Sequence, residues 1–417
     1  MNDRSLRGPR ALPAGLSLLL AAALSCAAAP AQAKPQAPAK AAAKSTAKSG
    51  AKAPAKAAAK PVPRAAARPK GKAAPAASRS APAKAAVAAG VAGGAATAAA
   101  AVAGGGDTPK AEAGLSAAEV AALQQHAEQG EASAQYALGS LYKRGQNVPL
   151  NAETAARWYE KSAQQGYAPA QSDLGLMYAN GRGVGRDDAQ AVQWYRKAAE
   201  QGDAVAQNNL GLMLAEGRGA ARDPEQAVQW FQRSADQGEA AGQYSLGVMY
   251  ATGRGVGEDV AQALRWFVAA AGQGHVDAQF NAGMLYAEGG AVDRDMAQAA
   301  RWLEKAAEQG NAAAQSNLGV LYANGQGVPA SDEQAARWLQ RAAEQGDALA
   351  QSNLASLYAA GKGVEKSPSQ AYFWMLLAAG RDRSLAAKRD SMAQPLSAAE
   401  RVRTERQAAA WKAKPAP

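Results

Sequence analysis

The sequence predicts an all-α protein: a solenoid of seven 36-residue helix-turn-helix repeats with terminal caps, preceded by a disordered arm. Three observations carry that expectation. A tryptophan recurs every 36 residues, at Trp158, Trp194, Trp230, Trp266, Trp302, Trp338 and Trp374. A Gln-Gly pair keeps the same period, from 129–130 through 345–346. Seven hydrogen-bond acceptors hold a third register: Asn151, Asp187, Asp223, Asp259, Asp295, Ser331 and Ser367. A strict period of that length marks units that bury their apolar faces only against their neighbours.

Residues 1–33 read as a signal peptide. Arg4, Arg7 and Arg10 form a positive end, Leu16 to Ala29 is apolar, and Ala31-Gln32-Ala33 is a small-x-small cleavage pattern. An exported, periplasmic or envelope-associated protein is expected. Cys26, the only cysteine, lies inside this segment. It is either a small apolar residue discarded with the signal or a lipidation site, and Ala23-Leu24-Ser25 matches the lipoprotein pattern poorly. Cleavage after Ala33 leaves no cysteine for a disulfide.

Residues 34–114 read as a disordered linker rich in Ala, Lys and Pro. They hold 11 Lys and 3 Arg against one Asp and one Glu, so the net +11 of the 417-residue chain belongs to this segment. The repeat body is slightly acidic. Proline breaks helices, and residues 34–84 have almost no large apolar side chain to bury. As a flexible coil the linker spans about 50 Å. Residues 34–84 are either a solubilising spacer or a polycation that touches an anionic wall polymer, lipid headgroups or nucleic acid. No aromatic residue is interleaved to stack on bases, which argues against nucleic acid. Residues 85–103 form an uncharged run long enough to cross a bilayer, but Ala and Gly supply little transfer free energy. A hinge is expected there, and no transmembrane span.

Residues 115–126 read as an N-terminal cap helix, with Ser116 and Glu119 forming a capping box ahead of Val120 and Leu123. The seven repeats follow over 127–380. In the first helix of each, Ala134, Leu138, Leu141 and Tyr142 and their equivalents make one apolar stripe. Gly139 and its equivalents at 175, 211, 247, 283 and 319 allow close helix approach. The next loop opens on Gly145 or its equivalent. The second helix starts at the seven acceptors, which satisfy orphan backbone N–H groups. Gln190, Gln226, Gln262, Gln298, Gln334 and Gln370 stand three residues later and complete a capping-box pattern; Thr154 is the exception. Pro224 and Pro368 sit at the first helical position, where a missing N–H costs nothing. Ala155, Trp158, Tyr159 and Ala163 form the second stripe, and the tryptophans are expected in the core. Residues 381–417 supply C-terminal cap helices and a tail. Ser397 and Glu400 begin a last helix running to Trp411.

The pattern Gln-Gly-x-Ala-x-Ala-Gln-x-x-Leu-Gly-x-x-Tyr, then Gly-x-Gly-Val, then Ala-x-x-Trp-Tyr-x-x-Ala-Ala, resembles the Sel-one-like repeat (SLR), a relative of the tetratricopeptide repeat. Residues 168–181 and 312–325 carry it, and the resemblance covers about 127–379. It implies a right-handed α-solenoid that acts as a scaffold, adaptor or regulator, often in bacterial envelopes. Ala371-Tyr372-Phe373-Trp374 looks like the closing repeat of bacterial members. Cysteine-rich members with a disulfide in each repeat have been associated with penicillin binding. This chain lacks those cysteines, so the association does not carry over.

No catalytic, cofactor-binding or metal-binding constellation is expected. His126 and His275, the only histidines, stand in different repeats and read as surface residues. There is no Gly-x-Ser-x-Gly elbow and no phosphate loop. Gly181-Arg182-Gly183-Val184-Gly185 resembles a nucleotide fingerprint but follows a helix and recurs as a turn.

In tetratricopeptide-like stacks the first helices line the concave groove. One variable row there reads Ala137, Asp173, Asn209, Ser245, Asn281, Asn317 and Asn353. The adjoining row reads Tyr136, Ser172, Asn208, Tyr244, Phe280, Ser316 and Ser352. Tyr136, Asn209, Tyr244, Phe280, Asn281, Asn317 and Asn353 are the candidate partner-binding residues. Two readings stay open: an asparagine ladder that holds an extended peptide, or asparagines that tie neighbouring repeats together. The expected function is a non-enzymatic, monomeric scaffold for protein–protein interactions in the bacterial cell envelope. An intracellular nucleic-acid-associated adaptor using the basic arm is one alternative. A cell-wall-acting enzyme is another, against which the missing nucleophile and metal ligands argue.

Overall fold

The computed structural model describes residues 115–415. The signal peptide (1–33, with Cys26) and the linker (34–114) lie outside the described residues. Among those residues the chain is all helical, with no strand.

A capping helix, α1 (Ala117–Glu128), precedes seven helix pairs. They are α2 (Ala132–Arg144) and α3 (Ala152–Gln164), α4 (Ala168–Asn180) and α5 (Asp188–Glu200), α6 (Ala204–Glu216) and α7 (Pro224–Asp236), α8 (Ala240–Thr252) and α9 (Val260–Gly272), α10 (Val276–Glu288) and α11 (Met296–Glu308), α12 (Ala312–Asn324) and α13 (Asp332–Glu344), and α14 (Ala348–Ala360) and α15 (Pro368–Arg381). A short 3-10 turn (Arg383–Leu385), α16 (Ala386–Ala393) and α17 (Ala398–Ala410) close the stack against α15. The helix ends shift two expected boundaries. α1 continues to Glu128, because the turn that stops it is at Gln129 and Gly130, and α15 ends at Arg381.

The even-numbered helices through α14 are called A helices below, and their odd-numbered partners through α15 B helices. Each A helix packs on its own B helix and on the preceding one. Consecutive A helices also meet directly, α6 against α8 and α12 against α14. The A helices therefore form the tighter layer, buried on several sides, while B helices such as α3, α5 and α13 keep an exposed charged face.

All seven expected caps form. Asn151, Asp187, Asp223, Asp259, Asp295, Ser331 and Ser367 each accept a backbone N–H from the first turn of a B helix. The reciprocal half of the box does not. The cap's own N–H already donates to the preceding A helix: Asn151 to Tyr142 O at 3.0 Å and Asp223 to Leu214 O at 2.9 Å. That bond closes the loop and removes the donor the glutamine would have needed. Complete capping boxes stand at Ser116 with Glu119 and at Ser397 with Glu400.

Close helix approach within a repeat depends on a size match. A Cβ at Gly211 would lie 2.6 Å from Phe231 Cε1. Tyr159, Tyr195 and Phe267 face Gly139, Gly175 and Gly247 in the same way. Leu303 and Leu339 face Gly283 and Gly319. The equivalent pair of repeat 7 is Ala355 and Met375, where a flexible side chain leaves room for the extra methyl.

These partners of glycine, one residue after each tryptophan, are 0–2% exposed, as deep as A-helix leucines such as Leu138 and Leu174. The tryptophans divide: Trp230, Trp338 and Trp374 are buried in the core, as expected, and the other four pack at its edge. Trp158, Trp194, Trp266 and Trp302 are half-buried, and five indoles carry a cation from three residues on. Lys197 Nζ, for example, lies 4.1 Å from the Trp194 ring centroid. Adjacent residues fall on one stripe at helical spacing, so the period could not tell the core member from the rim member.

A second device joins repeats. Gln171 in α4 donates to Ala163 O at 3.0 Å and accepts from Gln201 at 2.7 Å, so one buried carboxamide links the ends of α3 and α5. Six consecutive A helices, α2 to α12, carry this clamp. The loops also interlock. Gly219 has φ +68°, and a Cβ there would run into the Asp188 carbonyl on the preceding B helix. Arg218 then bonds the Asp188 carboxylate at 3.0 Å, which holds that carboxyl below its usual range.

Candidate binding groove

The A-helix face turned away from the B helices follows the spacing i, i+4, i+7, i+11. In repeat 2 it carries Pro169, Asp173, Leu176 and Asn180. Its middle position runs through the stack as Ser140, Leu176, Leu212, Val248, Met284, Val320 and Ser356. Leu176 is 40% exposed, which is unusual for leucine on a packed helix. Leu212 is half-buried beside it. From α8 onward the row closes, and Val248 and Val320 are fully enclosed. Where the closed part begins, Ser245 donates to Asn208 Oδ1 at 2.9 Å and α8 lies against α6.

The row starts at buried Ser140, and its exposed stretch at Leu176 and Leu212 is flanked by polar groups. Asp173 accepts from Lys143 Nζ at 2.7 Å, across the α2–α4 junction. The Asp173 charge acts on the Tyr136 and Tyr159 phenols, and Ser140 pairs with the Tyr159 hydroxyl at 3.1 Å. Tyr136 stacks on Tyr159 and packs against Tyr167, both at 5.4 Å between centroids. Burial, then the Asp173 charge, pushes the Tyr136 phenol up to about 12, and the same two causes raise Tyr159 further. Both therefore stay neutral as donors near pH 7.

The structure does not bring the seven candidate residues together. Tyr136 and Asn209 lie in repeats 1 and 3, each partly exposed. Phe280 and Asn317 are partly exposed farther along, and the Asn317 amide donates to Ala313 O of its own helix at 2.8 Å. Tyr244 and Asn281 are buried, and Asn353 is only 1% exposed. A continuous asparagine ladder is absent among the described residues. The ties between neighbouring A helices run through Lys143 with Asp173 and through Asn208 with Ser245.

The sequence reading missed Leu176, Leu212, Lys143 and the role of Asp173. The available signal was the row itself. Position 176 lies outside the constant stripe of Leu174, Met177 and Tyr178, yet stays mostly apolar.

His275 is half-buried at the cap position that Asp203 and Asn311 hold in other repeats. Its Nδ1 accepts from Ala278 N–H at 3.3 Å, capping α10, and its ring stacks on Tyr244 at 4.4 Å. His126 is exposed beside Glu131 at 3.2 Å. Among the described residues no group of three or more His, Cys, Asp or Glu could hold a metal ion. No described helix is long and apolar enough to cross a membrane. An apolar strip bordered by a carboxylate, amides and neutral phenols can bind an extended chain. It presents no activated nucleophile.

Seven consecutive segments match the Sel1 repeat family: residues 132–167, 168–203, 204–239, 240–275, 276–311, 312–347 and 348–382, together more than half of the chain. Among solved structures the chain is similar to a Sel1 repeat protein from Oxalobacter formigenes. The identity is 36%, over 65% of this chain and 78% of that one, with a TM-score of 0.52. It is also similar to c5321, described as a protective antigen present in uropathogenic Escherichia coli strains displaying an SLR fold. There the identity is 30%, over 71% of this chain and 80% of that one, with a TM-score of 0.38. Comparison with curated proteins gives no match.

Proposed function

The chain belongs to the Sel1 repeat family, and from that premise we propose that it is a non-enzymatic scaffold holding a protein partner in the groove of its first three repeats. Proteins built from these repeats are generally protein–protein interaction scaffolds. The observation that carries the reading is the exposed Leu176 beside the half-buried Leu212, bordered by Asp173 and Asn209. An exposed apolar strip with a polar border is the surface a partner buries. An extended segment with alternating apolar side chains fits it. Its side chains cover the leucines, while its backbone groups pair with Asp173 and Asn209.

The place of action in this reading is the bacterial cell envelope. Arg4, Arg7, Arg10 and the apolar run to Ala29 support export. Residues 34–84 then reach an anionic wall polymer or lipid headgroups and keep the solenoid near that surface.

The test is recovery of partners from the native cell by cross-linking and mass spectrometry, with the wild-type chain and with Leu176→Glu/Leu212→Glu. The proposal expects a partner whose recovery falls about tenfold in the double variant, while helical content is kept. Equal recovery overturns it. An N-terminus beginning after Ala33 supports export. A chain retained in the cytosol from Met1 overturns that part alone.

A further inference from the structure

The glutamine clamp fails at its last copy. In repeat 6, Gln345 donates to Gln315 Oε1 at 2.8 Å, as in the repeats before it. Repeat 7 has Arg381 where the register calls for that glutamine. Gln351 still donates Nε2 to Ala343 O at 3.1 Å. Its Oε1 has no hydrogen-bond partner, although Gln351 is 0% exposed. Buried acceptors are almost always paired, so this one asks for a donor. Arg381 turns an N–H to Gly346 O instead.

A cavity of about 480 Å³ opens at the same place, lined by Gln351, Arg381, Glu405, Leu376, Leu377 and Trp411 among others. That volume falls within the usual range for small-molecule sites, roughly 300–1,000 Å³. Trp411 is held edge-on against Trp374, with centroids 6.2 Å apart, and Glu405 is fixed by the Tyr372 hydroxyl at 2.9 Å. The walls are built by α14, α15, α17 and the residue that ends α17.

We propose that this cavity binds a short peptide with a free carboxylate and an apolar C-terminal side chain. The chemistry of the lining selects each part. The Arg381 guanidinium takes the carboxylate, for which its forked donors are suited. Gln351 Oε1 takes the peptide N–H, which replaces the carboxamide N–H present in six earlier repeats. Leu376, Leu377 and Trp411 cover the side chain. Glu405 faces the terminal ammonium. The site lies in repeat 7 and the C-terminal cap. It is separate from the groove of repeats 1–3 and does not depend on that groove's role.

The test uses the full chain and alanyl-leucine as probe, followed by calorimetry and thermal melting. The expected result is saturable binding, with a melting temperature that rises with ligand. Amidating the probe's carboxylate weakens it about tenfold, and Arg381→Gln does the same. Arg381→Gln also melts higher than wild type without ligand, because the introduced carboxamide meets Gln351 Oε1. Glu405→Gln, an exposed change, weakens alanyl-leucine but leaves N-acetyl-leucine unchanged. No binding up to about 10 mM overturns the proposal, since weaker association is not a specific site. Binding that is indifferent to both amidation and Arg381→Gln overturns it equally.

Discussion

Gln207 accepts from Gln237 at 2.7 Å while donating to Ala199 O at 3.1 Å, so one buried side chain joins the ends of α5 and α7 through α6. Gln207→Leu keeps the volume and removes both bonds. Ala199 O keeps the Gly202 N–H and the Gln237 amide keeps Arg233 O, so the loss costs about 1–3 kcal/mol for the pair. Gln237→Ala should cost less, since that residue is exposed and its own groups reach water. Urea denaturation followed by circular dichroism checks the order. A neutral Gln207→Leu would show that the clamp is incidental.

Gly211 and Phe231 make a second coupled pair. Gly211→Ala places a methyl against the Phe231 ring and should destabilise by about 1–3 kcal/mol through overpacking. The same change in a Phe231→Met background should cost much less, because repeat 7 itself pairs Ala355 with Met375. A double-mutant cycle measures the difference. Strict additivity would contradict the size match.

The tryptophan series makes a comparative prediction. Tyr195→Ala empties an enclosed site and should cost about 3–5 kcal/mol. Trp194→Ala removes a half-buried ring and should cost less, despite the larger side chain. Lys197→Ala removes the cation over that ring, worth about 0.5–1 kcal/mol at an exposed site. Denaturation midpoints of the three variants test the ranking.

His275 gives a pH dependence whose sign is fixed. Burial lowers its affinity for a proton below the ordinary 6.5, partly offset by Asp277. The unfolded chain therefore binds more protons than the folded one between the lowered value and 6.5. Stability rises with pH across that window and is lost as pH falls through it. Protonation also removes the Nδ1 lone pair that caps α10. His275→Asn, which copies the Asn311 cap of the next repeat, should flatten the pH profile of melting just below 6.5. An unchanged slope would contradict the assignment.

What recurs in every unit was legible from the chain. Helix pairs, the seven caps, the turn glycines and the glycines of close approach each repeat at one position. What depends on two units meeting was not. Ser245 and Asn208 are unremarkable letters of two repeats, yet they bond between α6 and α8, where the row passes from exposed Leu176 and half-buried Leu212 to enclosed Val248. The clamp escaped for the same reason. Both glutamines are constant, and only packing shows that they touch. The capping glutamines failed because the N–H they were expected to bind is taken by a carbonyl of the preceding helix.

The central claim is that partners are held by the groove of repeats 1–3. Placing a photo-crosslinking residue at Leu176, at Leu212 and at Leu150 in the native cell tests it most directly. Leu150, at 65% exposure, is more accessible than Leu176 but stands on a loop outside the row. The account predicts one shared adduct from positions 176 and 212 that is missing at 150. Adducts at 150 alone, or the same adducts at all three positions, would contradict it.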